Sequence, residues 1–242
     1  MSGTIQKNEY PKASGALVFS AVLTYISLLA IMMSFCAPYW IESYSETNSE
    51  FKNMGLWEYC FKQFTYPYYQ LMRKFDGCHN IFGQEFYVIR EYLVPGWLMA
   101  VQTFVTIAFL LTIIGMVTLS LELIRWPLKT VLRYEWIMTR ISFICNSVSS
   151  LCLFLGVAIF GGCAYRRDWL MYPKFNCLSW AYALAVAAFM ILGLTSYVLH
   201  REAVKSYEAR SEAKNLVMQM EMQEPGNQPS SRNFSRSPTG YI

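Results

Sequence analysis

The sequence predicts an integral membrane protein that is mainly α, a four-helix transmembrane bundle with a small, disulfide-stapled extracellular antiparallel β-sheet. Of the 242 residues, 55% are hydrophobic and only 15% are charged, whereas about a quarter are charged in a typical soluble domain. The apolar residues are concentrated in four windows that contain no Asp, Glu, Lys or Arg. The long segment between the first two windows is aromatic-rich and β-prone, and it contains two cysteines.

The four uncharged windows are predicted to be membrane-spanning helices. They cover residues 15–37, 97–119, 141–163 and 177–199. Each holds about 23 residues and forms a helix of about 35 Å, enough to cross a hydrocarbon core of about 30 Å with some tilt. Backbone groups in lipid must be satisfied within the segment, so these windows are helices rather than strands. The first window is too long for a signal peptide and lacks its cleavage pattern, so we expect it to be retained.

The remaining segments alternate between the two sides of the membrane. Residues 1–14 form an N-terminal tail, residues 120–140 a short basic connection and residues 200–242 a polar C-terminal tail. Residues 38–96 and 164–176 form two loops on the other side. Lys and Arg near the spans are slightly more numerous in the tails and the connection, which favours cytoplasmic termini and extracellular loops.

The cysteines favour the same orientation. Cys60 and Cys78 are the only cysteines of the long loop, and the predicted cytoplasmic segments from 120 to 140 and 200 to 242 have none. A pair confined to one loop suits an oxidising exterior, where a bridge would contribute about 3 kcal/mol; two free thiols are the alternative. Cys163 and Cys177 flank the short loop, where they form either a second bridge or two buried thiols.

The long loop is predicted to fold as strands standing on the membrane. Residues 39–44 and 54–61 are aromatic-rich and typical of strands, and the polar residues 45–53 between them are typical of a turn. Residues 84–93 are predicted to form a short amphipathic helix before the second span. The loop also carries seven acidic residues against five basic ones. They either form a weakly cation-favouring surface or an ordinary solvated one.

A signature in this loop resembles that of the claudin superfamily. Between the first two spans stand a lone tryptophan, a GLW tripeptide and two cysteines, in the order W…GLW…C…C: Trp40, Gly55, Leu56, Trp57, Cys60 and Cys78. With the four spans, the resemblance covers residues 12–200. The interval between the cysteines is wider than in claudins, and no cysteine follows the second or fourth span. The chain is therefore similar to divergent members such as invertebrate septate-junction claudin-like proteins.

The resemblance implies a structural and adhesive component of septate or tight-type cell–cell junctions that contributes to the paracellular barrier. It would lie in the lateral plasma membrane and associate with lipid, with copies of itself and with other claudin-like proteins in cis and in trans. The alternative is an auxiliary, gamma-like subunit of an ion channel or receptor. Trp40, Leu56 and Trp57 would contact a partner or anchor the sheet on the helix ends.

Other classes of protein have little support in the sequence. The residues present no convergent nucleophile, base or metal cluster, so we expect no enzyme, no cofactor and no metal site. His79 and His200 are far apart, and the net charge of +4 is spread without a basic run, which argues against nucleic acid. Uncharged spans argue against a transporter.

The C-terminal tail carries two further candidate sites. It ends in Gly240, Tyr241 and Ile242, and a free carboxylate after a branched apolar residue is what a PDZ scaffold captures; an unbound end is the alternative. Ser235 and Ser237 lie beside arginines and are candidates for phosphorylation. Beyond about residue 225 the composition predicts disorder.

Overall fold

The computed structural model describes residues 14–65, 74–125, 128–167, 169–170 and 173–223. The chain divides into two compact units, residues 1–203 and residues 204–242. The first unit contains a helix bundle and a β-sheet. The described part of the second unit, residues 204–223, is α-helical, and nearly all of the side chains described there are exposed. The predicted disorder beyond about residue 225 lies outside the described residues.

The described helices are α1 (Gly15–Cys36), α2 (Arg90–Leu93), α3 (Gly96–Ile124), α4 (Leu128–Cys163) and α5 (Trp180–Gln223). All but α2 are long and apolar enough to cross a membrane. Large apolar side chains on these four helices are exposed in the isolated chain, as expected of surfaces that contact lipid. The four-helix membrane bundle predicted from the uncharged windows is therefore confirmed.

The helices differ from the uncharged windows mainly at their ends. The connection expected at 120–140 is largely helical, because α3 continues to Ile124 and α4 already begins at Leu128. Charged residues such as Lys and Arg are good helix formers, so the loss of apolar character marks the edge of the lipid and not the end of a helix. At the fourth window the helix begins later than the uncharged window does. Cys177 and Leu178 belong to a strand, and α5 begins at Trp180.

A five-stranded antiparallel sheet covers one end of the bundle. Its strands are β1 (Ile41–Ser43), β2 (Phe51–Met54), β3 (Glu58–Thr65), β4 (Lys74–Asn80) and β5 (Asn176–Leu178). The order in the sheet is β4-β3-β2-β1-β5. The last strand comes from the segment between α4 and α5 and pairs with β1 in the register Ile41↔Leu178. Both connecting segments at this end therefore build one sheet.

The strand predicted at 54–61 is wrong in one respect. Met54 ends β2 and Glu58 begins β3, so Gly55, Leu56 and Trp57 form the turn between two strands. The aromatic and apolar composition favours a strand, but the sequence does not show that the glycine lies against another part of the backbone. Before α3, residues Gln84–Ile89 form a 3₁₀-helix that leads into α2, where a short helix was predicted.

The core is continuous from the sheet into the adjacent half of the bundle. It includes Trp40, Leu56 and Phe86 from the sheet end and Val105 and Leu192 from the helices, all fully buried or nearly so. A second, small cluster of buried leucines and an alanine lies at the other end of the bundle. The sheet is thus fixed to the bundle by shared packing as well as by the chain connections.

Candidate functional site: a sheet anchored on the helix ends

Trp40 joins the sheet to three of the long helices. It lies between α1 and β1 and is completely buried. Its indole N–H donates a hydrogen bond to the carbonyl of Ser34 at 2.7 Å, near the end of α1. Its ring lies edge-on to Phe160 of α4 and Tyr182 of α5, with centroid distances of 4.8 and 5.8 Å. A tryptophan with its polar group satisfied and its ring enclosed by aromatic rings is a strong anchor.

Gly55 makes the turn between β2 and β3 at a point of close backbone contact. Its N–H donates to the carbonyl of Glu58 at 2.9 Å, which closes the turn. A Cβ atom at this position would lie 2.7 Å from the Cα of Pro38 and still closer to the carbonyl oxygen of Ala37. Those are backbone atoms, which cannot rotate away as a side chain can. Only glycine therefore fits where the turn rests on the end of α1.

Leu56 extends the anchor to α3. Its side chain is completely buried, and its carbonyl accepts a 2.6 Å hydrogen bond from the side-chain amide of Gln102. Gln102 is itself buried, near the start of α3. Gln102 was not among the site residues predicted from the sequence. The available signal was a lone amide side chain in an uncharged window, at the sixth of its residues.

Trp57 lies at the periphery of the contact between the β2–β3 turn and the helix ends. It is half-buried, and its ring centroid lies 5.1 Å from that of Phe35 in α1 and 6.2 Å from that of Phe82 after β4. The carbonyl of Trp57 accepts the N–H of Ile81 at 2.9 Å. All three residues proposed as anchors or partner contacts thus pack against the ends of the helices or the segment leading into them, and Trp40 and Leu56 have no exposed surface.

The Cys60–Cys78 disulfide joins β3 to β4. The two residues are directly opposite each other in the ladder, and their Cα atoms are 4.0 Å apart. The bridge closes the segment between the two cysteines, which are 18 residues apart in the sequence. Residues 66–73, which belong to this interval, lie outside the described residues.

Tyr59 links the disulfide-bonded strand β3 to α2. Its hydroxyl donates to the carbonyl of Leu93 at the end of α2, at 2.7 Å, and the residue has no exposed surface. Burial raises the pKa of Tyr59 well above its ordinary value, so the hydroxyl remains protonated and able to donate. Trp169, from the second connecting segment, packs edge-on against Trp97 with a centroid distance of 4.6 Å.

Cys163 and Cys177 are free thiols in the structure, so the bridge that the sequence left open is not formed. Cys163 ends α4, whereas Cys177 lies in β5 and pairs across the ladder with Glu42 of β1. Burial, and then the neighbouring Glu42 carboxylate, raise the pKa of the Cys177 thiol. A thiol in such surroundings is a poor nucleophile at neutral pH.

The C-terminal candidates, Gly240, Tyr241 and Ile242 with Ser235 and Ser237, lie outside the described residues. A PDZ partner and phosphorylation therefore remain predictions.

The four-helix bundle, the antiparallel sheet contributed by both connecting segments and the single described disulfide define a class of four-span membrane proteins with a folded domain at one end of the helices. The family model described as PMP-22/EMP/MP20/Claudin tight junction matches residues 12–200. The chain belongs to this family, which the W…GLW…C…C signature had indicated. A search of curated proteins finds no match.

Proposed function

We propose that this protein is a structural and adhesive component of cell–cell junctions, of septate or tight type, and that it contributes to the paracellular barrier. The observation that carries the proposal is the rigid attachment of the sheet to the bundle. Trp40, Gly55 and Leu56 fix it to the ends of α1 and α3. A domain held in this way can transmit a contact with a neighbouring cell to the membrane without tilting away.

The proposed orientation places the sheet outside the cell and both termini in the cytoplasm. The disulfide in the sheet supports it, because such bridges persist in oxidising surroundings. The basic residues of the tails and of the 120–140 connection support it too. The even number of candidate spans agrees with termini that share one side of the membrane.

The surface left exposed around the anchor suits association with other proteins of this kind. Phe82, Tyr87 and Val88, on the segment between β4 and α2, are each at least half exposed. Isolated apolar side chains are common on surfaces, but three of them on one short segment indicate a contact. We propose that the sheet associates with copies of itself or with other claudin-like proteins, in the same membrane and across the gap, and that the tail binds a PDZ scaffold.

The orientation is tested by labelling intact cells with a membrane-impermeant amine reagent. Lys62 and Lys74 in the sheet and Lys205 and Lys214 in the described part of the tail are all exposed. We expect label on Lys62 and Lys74, and label on Lys205 and Lys214 only after the cells are permeabilised. Equal labelling of both pairs before permeabilisation would reject the proposed sidedness.

The junctional role is tested in a polarised epithelium that expresses the protein at its natural level. We expect the tagged protein at lateral cell contacts, and we expect its removal to increase the flux of a paracellular tracer. Re-expression of the intact chain should restore the barrier. A protein absent from lateral contacts that co-purifies with a channel would support the auxiliary-subunit alternative instead.

A further inference from the structure

A cavity of about 510 Å³ lies between the sheet with its preceding turn, α2 and the second connecting segment. Its volume is within the range of sites that bind small molecules, about 300 to 1,000 Å³. Residues from all three elements line it, including Phe61 of β3, Leu93 of α2 and Trp169 of the second segment. Nothing in the anchoring of the sheet requires an opening of this size.

The interior of the cavity is mainly aromatic. Phe51, Phe61 and Phe64 line it, and each is no more than about 5% exposed. Tyr59 and Trp169 also line the cavity and are buried, and the Tyr59 hydroxyl already donates a hydrogen bond to the carbonyl of Leu93. An apolar body that enters the cavity would replace water on these rings, which is favourable in proportion to the area covered.

The rim of the cavity is polar and carries negative charge. Asn48, Ser49 and Thr65 line it with partly or fully exposed side chains. Glu50 is the only carboxylate among the described lining residues, and none of them is Lys, Arg or His. A cationic group at the rim would be attracted by Glu50 and by the faces of the aromatic rings, whereas an anionic group would find no positive charge among the described lining residues.

We propose that this cavity binds a small amphiphile with an apolar body and a cationic ammonium head. The body lies against Phe51, Phe61 and Phe64, and the head lies at the rim beside Glu50. The ligand would contact both the turn before β2 and the second connecting segment, and its occupancy would therefore stabilise them together. This inference does not depend on the junctional role, because it concerns the cavity and not the exposed surface of the sheet.

The experiment uses a decylammonium probe with a photoreactive diazirine in its chain, added to the full-length protein in phospholipid nanodiscs. The matching decanol and decanoate probes differ only in the head group. After irradiation, the labelled peptides are identified by mass spectrometry. We expect the ammonium probe to label the peptides that contain Phe64 and Trp169. Label on the membrane-facing surfaces of α1 and α3 reports simple partition into lipid and serves as the internal standard for each probe.

Two kinds of variant test the assignment. Ser49→Trp in the turn before β2 and Thr65→Trp in β3 each place a large ring at the rim, and each should reduce cavity labelling relative to the internal standard. Glu50→Gln should lower the preference for the ammonium probe over decanol about three- to fivefold, the effect of one partly exposed ion pair. Glu46→Gln, in the same turn but outside the lining, should leave that preference unchanged.

The outcomes separate the proposal from its competitors. Cavity labelling that favours the ammonium probe and falls in the rim variants supports it. Equal cavity labelling by the ammonium and decanoate probes overturns the charge argument. Labelling confined to the membrane-facing peptides, or cavity labelling that both rim variants leave intact, overturns the site. Failure of every probe combined with crosslinks from this cavity to a second copy would show that a protein segment occupies it.

Discussion

The sheet end and the membrane interior of this molecule are held together in different ways. At the sheet end a few large or specialised residues each make close, specific contacts with the helix ends, as Trp40, Gly55 and Leu56 do. Inside the membrane the helices meet through small and hydroxyl side chains. Thr112 and Ser149 bond across α3 and α4 at 2.6 Å, and Thr118 and Ser142 do the same at 2.6 Å.

The difference follows from the two solvents. A small sheet in water has little core of its own, so it depends on a covalent bridge and on burying a few large side chains against the helices. Lipid gives no hydrophobic drive for helices to associate, so they rely on close packing and on many weak interhelical bonds. We therefore expect single substitutions to be severe at the sheet end and mild in the bundle.

The largest effect is expected from Gly55→Ala. The added methyl group meets backbone atoms of Ala37 and Pro38, and the turn must move off the end of α1. We expect the free energy of unfolding to fall by about 3 kcal/mol or more, and we expect almost no protein at the cell surface. Surface biotinylation measures this. Gly162→Ala is the control, because a Cβ there meets nothing within 4 Å; equal loss in both variants would contradict the close-contact explanation.

Cys60→Ser tests how much the Cys60–Cys78 disulfide contributes to the stability of the sheet end. Cys60 and Cys78 are 18 residues apart in the sequence, and loss of their disulfide should lower the free energy of unfolding by about 3 kcal/mol. Delivery to the cell surface should fall strongly. The melting temperature of the purified protein and its surface fraction are the measurements. Cys177→Ser removes a free thiol from the same sheet and should behave like the unmodified chain. Normal surface levels of Cys60→Ser would show that the bridge is not needed for folding.

Trp40→Phe tests the aromatic anchor. The smaller ring keeps part of the contact with Phe160 but loses the hydrogen bond to the Ser34 carbonyl and leaves a void. We expect a loss of about 2 kcal/mol, seen as a lower melting temperature. Trp180→Phe is the matched control because Trp180 is half exposed, and its melting temperature should change little. Similar shifts for the two variants would argue against Trp40 as the specific anchor.

The difference between the two regions also explains what could be predicted from the sequence. Spans were predictable because lipid imposes a requirement on every residue of a window, and the motif around Trp40 and Gly55 indicated the family. The turn at Gly55 and the hydrogen-bond partner of Leu56 could not be predicted. The turn depends on backbone at the end of α1 and the partner is a side chain of α3, and both are distant in sequence. Strand β5 was missed because Cys177 and Leu178 are as apolar as the helix that follows them.

Gln102→Leu probes the hydrogen bond that the sequence did not reveal. The change leaves the buried carbonyl of Leu56 without its donor and keeps the volume nearly constant. We expect a loss of about 1 to 2 kcal/mol, with the melting temperature as the measurement. Thr103→Val, on the exposed side of the same turn of α3, is the control. A neutral Gln102→Leu would mean that Leu56 is held by its side chain alone.

The smallest effect is expected from Thr112→Val in the middle of the bundle. Valine has nearly the same shape, and Ser149 keeps its bond to the carbonyl of Ala108 at 2.8 Å, so no group is left without a partner. Interhelical bonds of this kind contribute on average about 0.6 kcal/mol, and the shift in melting temperature should be correspondingly small. A double-mutant cycle with Ser149→Ala measures the coupling directly. A coupling above about 2 kcal/mol would contradict the comparison, because the bundle would then also depend on single contacts.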